Sequence, residues 1–161
     1  MEIGENRVGI ENANMGLILN DDGTRAMEVS GTPVAEFAGG IDLINFETVI
    51  ARLNSTGVEY TGTSLNIARA SYTFADLPAG TDLKELAILG AEFTIGSFIE
   101  LEGDFAVQVS NRDVELANAE TVSTQAVSFG ASNVAGYVGV DSTDDTAPGM
   151  RFSDVTVAFM Q

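Results

Sequence analysis

The sequence predicts an all-β domain, an antiparallel β-sandwich or roll of short strands, on three observations. In residues 98–110, apolar and acidic side chains alternate through FIELEGDFAVQVS, and a β-strand sends successive side chains to opposite faces. A helical period would mix the two sets. Similar short stretches recur at intervals near ten residues and are separated by turn-forming residues. The length of 161 residues fits one domain, and we assign residues 1–161 to it.

The first half of the chain predicts a hairpin, a loop and a strand. Residues 8–19 form an extended stretch that Asn20-Asp21-Asp22-Gly23-Thr24 follows. Asp-Gly between two extended stretches is a strong hairpin signal, because glycine adopts positive φ. Residues 31–40 contain Pro33 and paired glycines, which indicates a loop. Residues 41–53 are rich in β-branched side chains, which favours a strand.

The second half predicts further strands around the alternating stretch. Residues 64–74 form one strand, residues 82–86 a single helical turn capped by Thr81, and residues 86–95 lead into the alternating stretch. That stretch bends or bulges at Gly103. The chain turns at residues 111–113, and residues 150–160 form the last strand.

A weak internal repeat predicts an alternative fold. Five stretches share the order of apolar and small residues, and their second apolar positions are Ile10, Ile67, Ile88, Phe129 and Phe152. The gaps between these positions are 57, 21, 41 and 23 residues, and three of them lie near 21 or its double. Coils of about 21 residues are plausible for a β-solenoid, which is therefore the alternative to the sandwich.

The charge balance excludes several classes of function. Seven basic residues oppose 24 acidic ones, so the formal net charge is −17. So few cations make nucleic acid a poor partner, and no apolar stretch is long enough for membrane insertion. The chain has no histidine and no cysteine, which removes the commonest general base and the thiolate nucleophile. These absences predict a protein that is not an enzyme. The first residues carry no apolar segment of a secretory signal.

Four segments carry a resemblance to a known class of repeat. GLILNDDGTRAMEVSG (residues 16–31), LNSTG (53–57), FIELEGDFAV (98–107) and ASNVAGYVGV (131–140) resemble one unit of the tandem β-repeats in large acidic bacterial surface or secreted proteins of the calcium-binding adhesin type. The resemblance covers most of the chain and implies an extracellular or cell-surface location. The closing MRFSDVTVAFM resembles the opening VGIENANMGLIL, as expected if such units continue into one another.

An acidic loop near the end of the chain is the candidate metal site. Asp141, Asp144 and Asp145 offer carboxylate oxygens in a loop, and such ligands suit Ca²⁺. The resemblance to calcium-binding repeats points the same way. A solvated acidic loop without a metal is the alternative, because no EF-hand or glycine-rich calcium motif is present.

Three carboxylates of the alternating stretch form a second candidate site. Glu100, Glu102 and Asp104 line one face of the predicted strand, where paired carboxylates could cleave glycosides or recruit a cation. In so acidic a chain, a solvated outer face is the alternative. Asn54-Ser55-Thr56 matches a glycosylation acceptor, which we interpret as incidental. The aromatic side chains Phe93, Phe105, Phe129 and Phe152 are predicted to face the core.

These observations predict a structural, non-enzymatic extracellular module that is stabilised by calcium. It would form homo-oligomers through its end strands, either by self-assembly or in a head-to-tail array such as a fibre or adhesin. One alternative is a phage tail-tube or other virion structural protein. Another is a glycan-binding or glycan-cleaving domain, with a glycan or cell surface as its partner.

Overall fold

The fold of the chain was obtained as a computed structural model, which describes residues 7–36, 44–95, 97–117, 119–141, 144 and 146–161. Most of these residues lie in ten β-strands. The strands are β1 (Arg7–Leu19), β2 (Arg25–Glu36), β3 (Ile44–Asn45), β4 (Thr48–Asn54), β5 (Ser64–Ile67), β6 (Ala70–Thr73), β7 (Leu83–Ile95), β8 (Ile99–Glu115), β9 (Thr121–Gly139) and β10 (Gly149–Met160). The predicted all-β class is confirmed.

The main sheet is open and antiparallel. Seven strands follow the order β1-β2-β4-β7-β8-β9-β10, and β3 also pairs with β7. Strands β5 and β6 form a separate two-stranded sheet. Every strand pair in the described chain is antiparallel, so the solenoid alternative does not hold for these residues. Strands β8 and β9, of 17 and 19 residues, are longer than the predicted short strands.

A small second layer covers one end of the main sheet. Phe74 and Leu77, which follow β6, are fully buried against Ala26 of β2 and Leu83 of β7. Tyr72 of β6 packs edge-on against Phe74 with ring centroids 5.2 Å apart. This arrangement of two unequal antiparallel layers is consistent with the predicted sandwich.

Several local predictions were wrong because strand pairing overrides local sequence signals. Residues 64–74 form the β5–β6 hairpin rather than one strand. Its turn places Ala68 at a φ of 54°, a conformation that a glycine at this position would have indicated in the sequence. Residues 83–86 belong to β7, which is paired on both sides, rather than to a helical turn. Residues 111–113 continue β8, and residues 31–36 extend β2. Of the strand predicted over residues 41–53, residues 41–43 lie outside the described chain.

The bend predicted at Gly103 is confirmed and belongs to a series of β-bulges. Gly103 has a φ of 154°, and the register between β8 and β9 shifts there. Asn12, Gly90, Asn133 and Asp154 have φ values between 51° and 59°, and each lies at a register shift. A bulge adds one residue to one strand and increases the local bend and twist.

The bulges give the sequence repeat a physical meaning. Ile10, Ile88 and Phe152, three of its five anchors, each precede a positive-φ residue by two positions. At these three anchors the repeat therefore marks bulges in an antiparallel sheet instead of solenoid coils.

Candidate interaction surface

One face of the main sheet carries an unbroken row of apolar side chains. The row holds one residue from each of the seven strands, and each is paired in register with the next. We call it the apolar row: Met15, Val29, Ala51, Leu86, Val107, Phe129 and Phe159. Since residues that pair directly opposite each other on neighbouring strands project to the same face, all seven lie on the same face. The row crosses the sheet from one edge to the other.

The described residues leave this face largely open to solvent. Met15, Leu86, Val107, Phe129 and Phe159 keep between 37% and 61% of their surface exposed. The adjacent rows on the same face are also apolar, with Val49, Ile88, Phe105, Ala131 and Val157 on one side and Leu17, Met27, Leu53, Val109 and Val127 on the other. Contiguous exposed apolar patches of this kind mark sites of association.

The alternating stretch that predicted the fold contributes to this face. Its apolar side chains Phe105, Val107 and Val109 lie on one side of β8, as predicted. Phe105 lies 6.5 Å from Phe129, measured between ring centroids. Phe129, however, is exposed rather than in a core, because no second sheet covers it in the described part of the chain. Phe93 and Phe152 are half-buried.

The opposite face is polar where β2, β4, β7 and β8 meet. Arg52 Nε donates to Glu28 Oε2 at 2.9 Å, and Arg52 also bonds Glu85, to which Gln108 Nε2 donates at 3.2 Å. Glu28 is 2% exposed and also accepts hydrogen bonds from the Tyr72 hydroxyl and the Ala75 amide. Burial acts to raise the pKa of Glu28, but these hydrogen bonds, led by that of Arg52, together hold the pKa below its ordinary value.

The outermost strands β1 and β10 share the same irregularity. Asn12 in β1 and Asp154 in β10 have φ values of 51° and 56°, each two residues after an apolar anchor. Asparagine and aspartate tolerate this conformation better than other residues with a Cβ atom. The sequence likeness between the two ends of the described chain is therefore also a likeness of backbone shape.

The three carboxylates of the second candidate site have different surroundings. Glu100 and Glu102 line an open groove with Tyr137 and Arg151, whose guanidinium carbon lies 4.6 Å from the Tyr137 ring centroid. Asp104 instead accepts hydrogen bonds from the Gly90 amide at 2.9 Å and from Asn133 Nδ2 at 2.7 Å. These bonds lower the pKa of Asp104.

Asp104 thus links the bulges of β7 and β9, on either side of its own strand. This role accounts for Asp104 without catalysis. The groove beside Glu100 and Glu102 keeps the glycan alternative open to test.

The candidate metal ligands occupy a loop that is partly described. Asp144 Oδ1 accepts hydrogen bonds from the amide and the hydroxyl of Thr146 at 2.9 and 2.7 Å, which lower its pKa. The amide of Asp141 donates to the Tyr137 hydroxyl at 3.2 Å. Asp145 lies outside the described residues. Within the described ranges no three acidic side chains cluster as metal ligands, and the calcium site stays a prediction.

Two other sequence signals have structural roles. Asp22 Oδ1 accepts from the amide and hydroxyl of Thr24, and Gly23 has a φ of 85°, which confirms the predicted hairpin turn. Asn54 is fully buried, and its Nδ2 donates to the carbonyls of Val58 and Pro78 at 2.7 Å each. Because both amide hydrogens are engaged, the structure agrees with an incidental glycosylation match.

Comparisons with known proteins identify no relative. No protein-family model, no curated protein and no solved structure matches the chain. Across the described ranges, no helix is long and apolar enough to cross a membrane.

Proposed function

We propose that this chain is a structural, non-enzymatic extracellular module whose copies associate through their end strands in a head-to-tail array. The observation that carries the proposal is the pair of sheet edges. Strands β1 and β10 end the strand order, and no other described strand pairs with their outer sides. An exposed edge offers backbone donors and acceptors to a further strand.

The direction of the two edge strands favours an open array. Six successive antiparallel pairings separate β1 from β10, so the two strands run in the same direction. A copy related by translation would place its β1 beside β10 as a parallel neighbour. Such a head-to-tail contact does not close on itself, and it generates a filament. The matching bulges at Asn12 and Asp154 would let the bend of one sheet continue into the next.

The charge of the chain bears on where and when such an array forms. A net charge of −17 makes copies repel one another at low ionic strength. A saline or calcium-rich extracellular medium would weaken that repulsion. This fits the resemblance to calcium-binding adhesin repeats, and calcium is the cation that we propose for stabilising the array.

Light scattering across protein and calcium concentrations, with negative-stain images, tests the proposal. Mass should increase with both concentrations, and the images should show linear assemblies. The variant Asp154→Val should reduce assembly, because β-branched residues avoid positive φ, whereas Asp154→Gly should retain it. A monomer under all conditions would contradict the proposal. Closed rings would instead support the phage tail-tube alternative.

A further inference from the structure

We infer that the apolar face is covered by the same face of a second copy. The two copies are related by a two-fold axis that is parallel to β7 and lies midway between the two sheets, so that two chains complete one β-sandwich. The inference rests on the proposed function only in taking another copy of the chain as the partner. It concerns the sheet face, whereas the array concerns the sheet edges.

The size of the face fits a stable pair. Seven strands about 4.8 Å apart and three rows about 6.6 Å apart give roughly 34 by 20 Å, or about 700 Å² per copy. Two such faces together bury about 1,400 Å², which lies in the range of specific protein–protein interfaces. Sheets that pack in this way lie about 10 Å apart.

The distribution of charge favours a second copy of this acidic chain. The apolar row and its two adjacent rows contain no carboxylate, although the chain has 24 acidic residues. Lys84 is the one charged residue among the described members of these rows. Its Nζ atom lies 3.0 Å from Asp82 Oδ1. The two-fold axis along β7 places each Lys84–Asp82 pair opposite the same pair of the second copy, and because each pair is neutral, the approach brings no uncompensated like charges of these rows together.

The sizes of the side chains favour a particular axis. Strand β7 is the fourth of the seven strands, so a two-fold axis along it exchanges the two halves of the sheet. Leu86 would then meet Leu86 of the second copy, and Val29 would meet Phe129. Ala51 would meet Val107. Val29 and Ala51 thus lie over larger side chains, which is the complementarity that close packing requires in the middle of the face. At the edges Met15 would meet Phe159, so both side chains there are large.

Cross-linking through single introduced thiols tests this arrangement, since the chain has no cysteine of its own. When two sheets pack about 10 Å apart, facing side chains extend into the gap between them, so facing thiols lie within reach of a short bis-maleimide. Leu86→Cys should yield on the order of tenfold more cross-linked dimer than Ser132→Cys, which lies on the opposite face, because proximity raises the effective concentration. A mixture of Val29→Cys and Phe129→Cys should cross-link, and either variant alone should not.

The outcomes separate this inference from the proposed array. If Leu86→Cys gives no more dimer than Ser132→Cys while the unaltered chain still forms filaments, the face-to-face pair is contradicted and the array stands. If Val29→Cys alone cross-links as well as the mixture, the axis along β7 is wrong. If Leu86→Cys cross-links while the unaltered chain never grows beyond a dimer, the pair is supported and the array fails.

Discussion

Arg52 on β4 and Glu28 on β2 form a buried charge pair in which Arg52 Nε lies 2.9 Å from Glu28 Oε2. We predict that Glu28→Gln lowers the free energy of unfolding by about 2–4 kcal/mol, because an amide group would replace an acceptor oxygen among buried donors. Urea denaturation measures the loss. The exposed Glu59 is the matched control, and Glu59→Gln should change stability by no more than about 0.5 kcal/mol. Equal losses in the two variants would contradict this account.

The same carboxylate predicts how stability depends on acid. The pKa of Glu28 is lowered in the folded chain, so its contribution is present above the ordinary pKa of 4.5 and is lost as the pH falls through the lowered value. Melting temperatures should therefore fall below pH 4.5, and the slope should be shallower in Glu28→Gln. Asp104, whose pKa is also lowered, would contribute in the same direction. An identical acid slope in the variant would exclude Glu28 as a cause.

Tyr72 predicts the opposite behaviour in alkali. Burial, followed by the hydrogen bond to Glu28, raises the pKa of Tyr72 above its ordinary value of 10.0. Its contribution to stability is complete below pH 10 and is lost as the pH rises through the raised value. We predict that Tyr72→Phe flattens the alkaline decline of the melting temperature. A decline as steep as in the unaltered chain would show that another group is responsible.

The bulges predict a contrast between two glycines. A Cβ atom at Gly103 would lie 3.1 Å from the Val134 Cα atom, and Gly103 has a φ of 154°. Gly103→Ala should therefore lower the free energy of unfolding by about 1–3 kcal/mol. Gly130 on β9 has open space around the same position, and Gly130→Ala should change stability by no more than about 0.5 kcal/mol. Thermal melts of both variants test this contrast, and equal losses of stability in the two variants would contradict it.

Calcium is predicted to stabilise the chain beyond its effect on ionic strength. Sodium chloride should raise the melting temperature because it screens a net charge of −17. If the predicted site binds Ca²⁺, calcium at equal ionic strength should raise it further, and Asp144→Asn should remove the difference. The same increase with either salt would show that no specific site exists.

The class of fold was predictable because alternation in residues 98–110 is a direct consequence of strand geometry. The turn at Gly23 was predictable because the glycine of Asp-Gly readily adopts the positive φ that a tight hairpin turn requires. The β5–β6 hairpin was not, since Ala68 adopts a positive φ that its own chemistry disfavours. The open apolar face was missed because alternation shows which side chains share a face but not what covers them. Phe129 therefore looked like a core residue.

The central claim is that copies of this chain associate, and sedimentation velocity across protein concentrations tests it most directly. We expect the sedimentation coefficient of the unaltered chain to rise with concentration and with added calcium. Leu86→Glu, which places a carboxylate in the apolar row, should sediment as a smaller species while keeping its β-sheet circular dichroism. A single monomeric boundary at every concentration, the same for the unaltered chain and the variant, would contradict the claim.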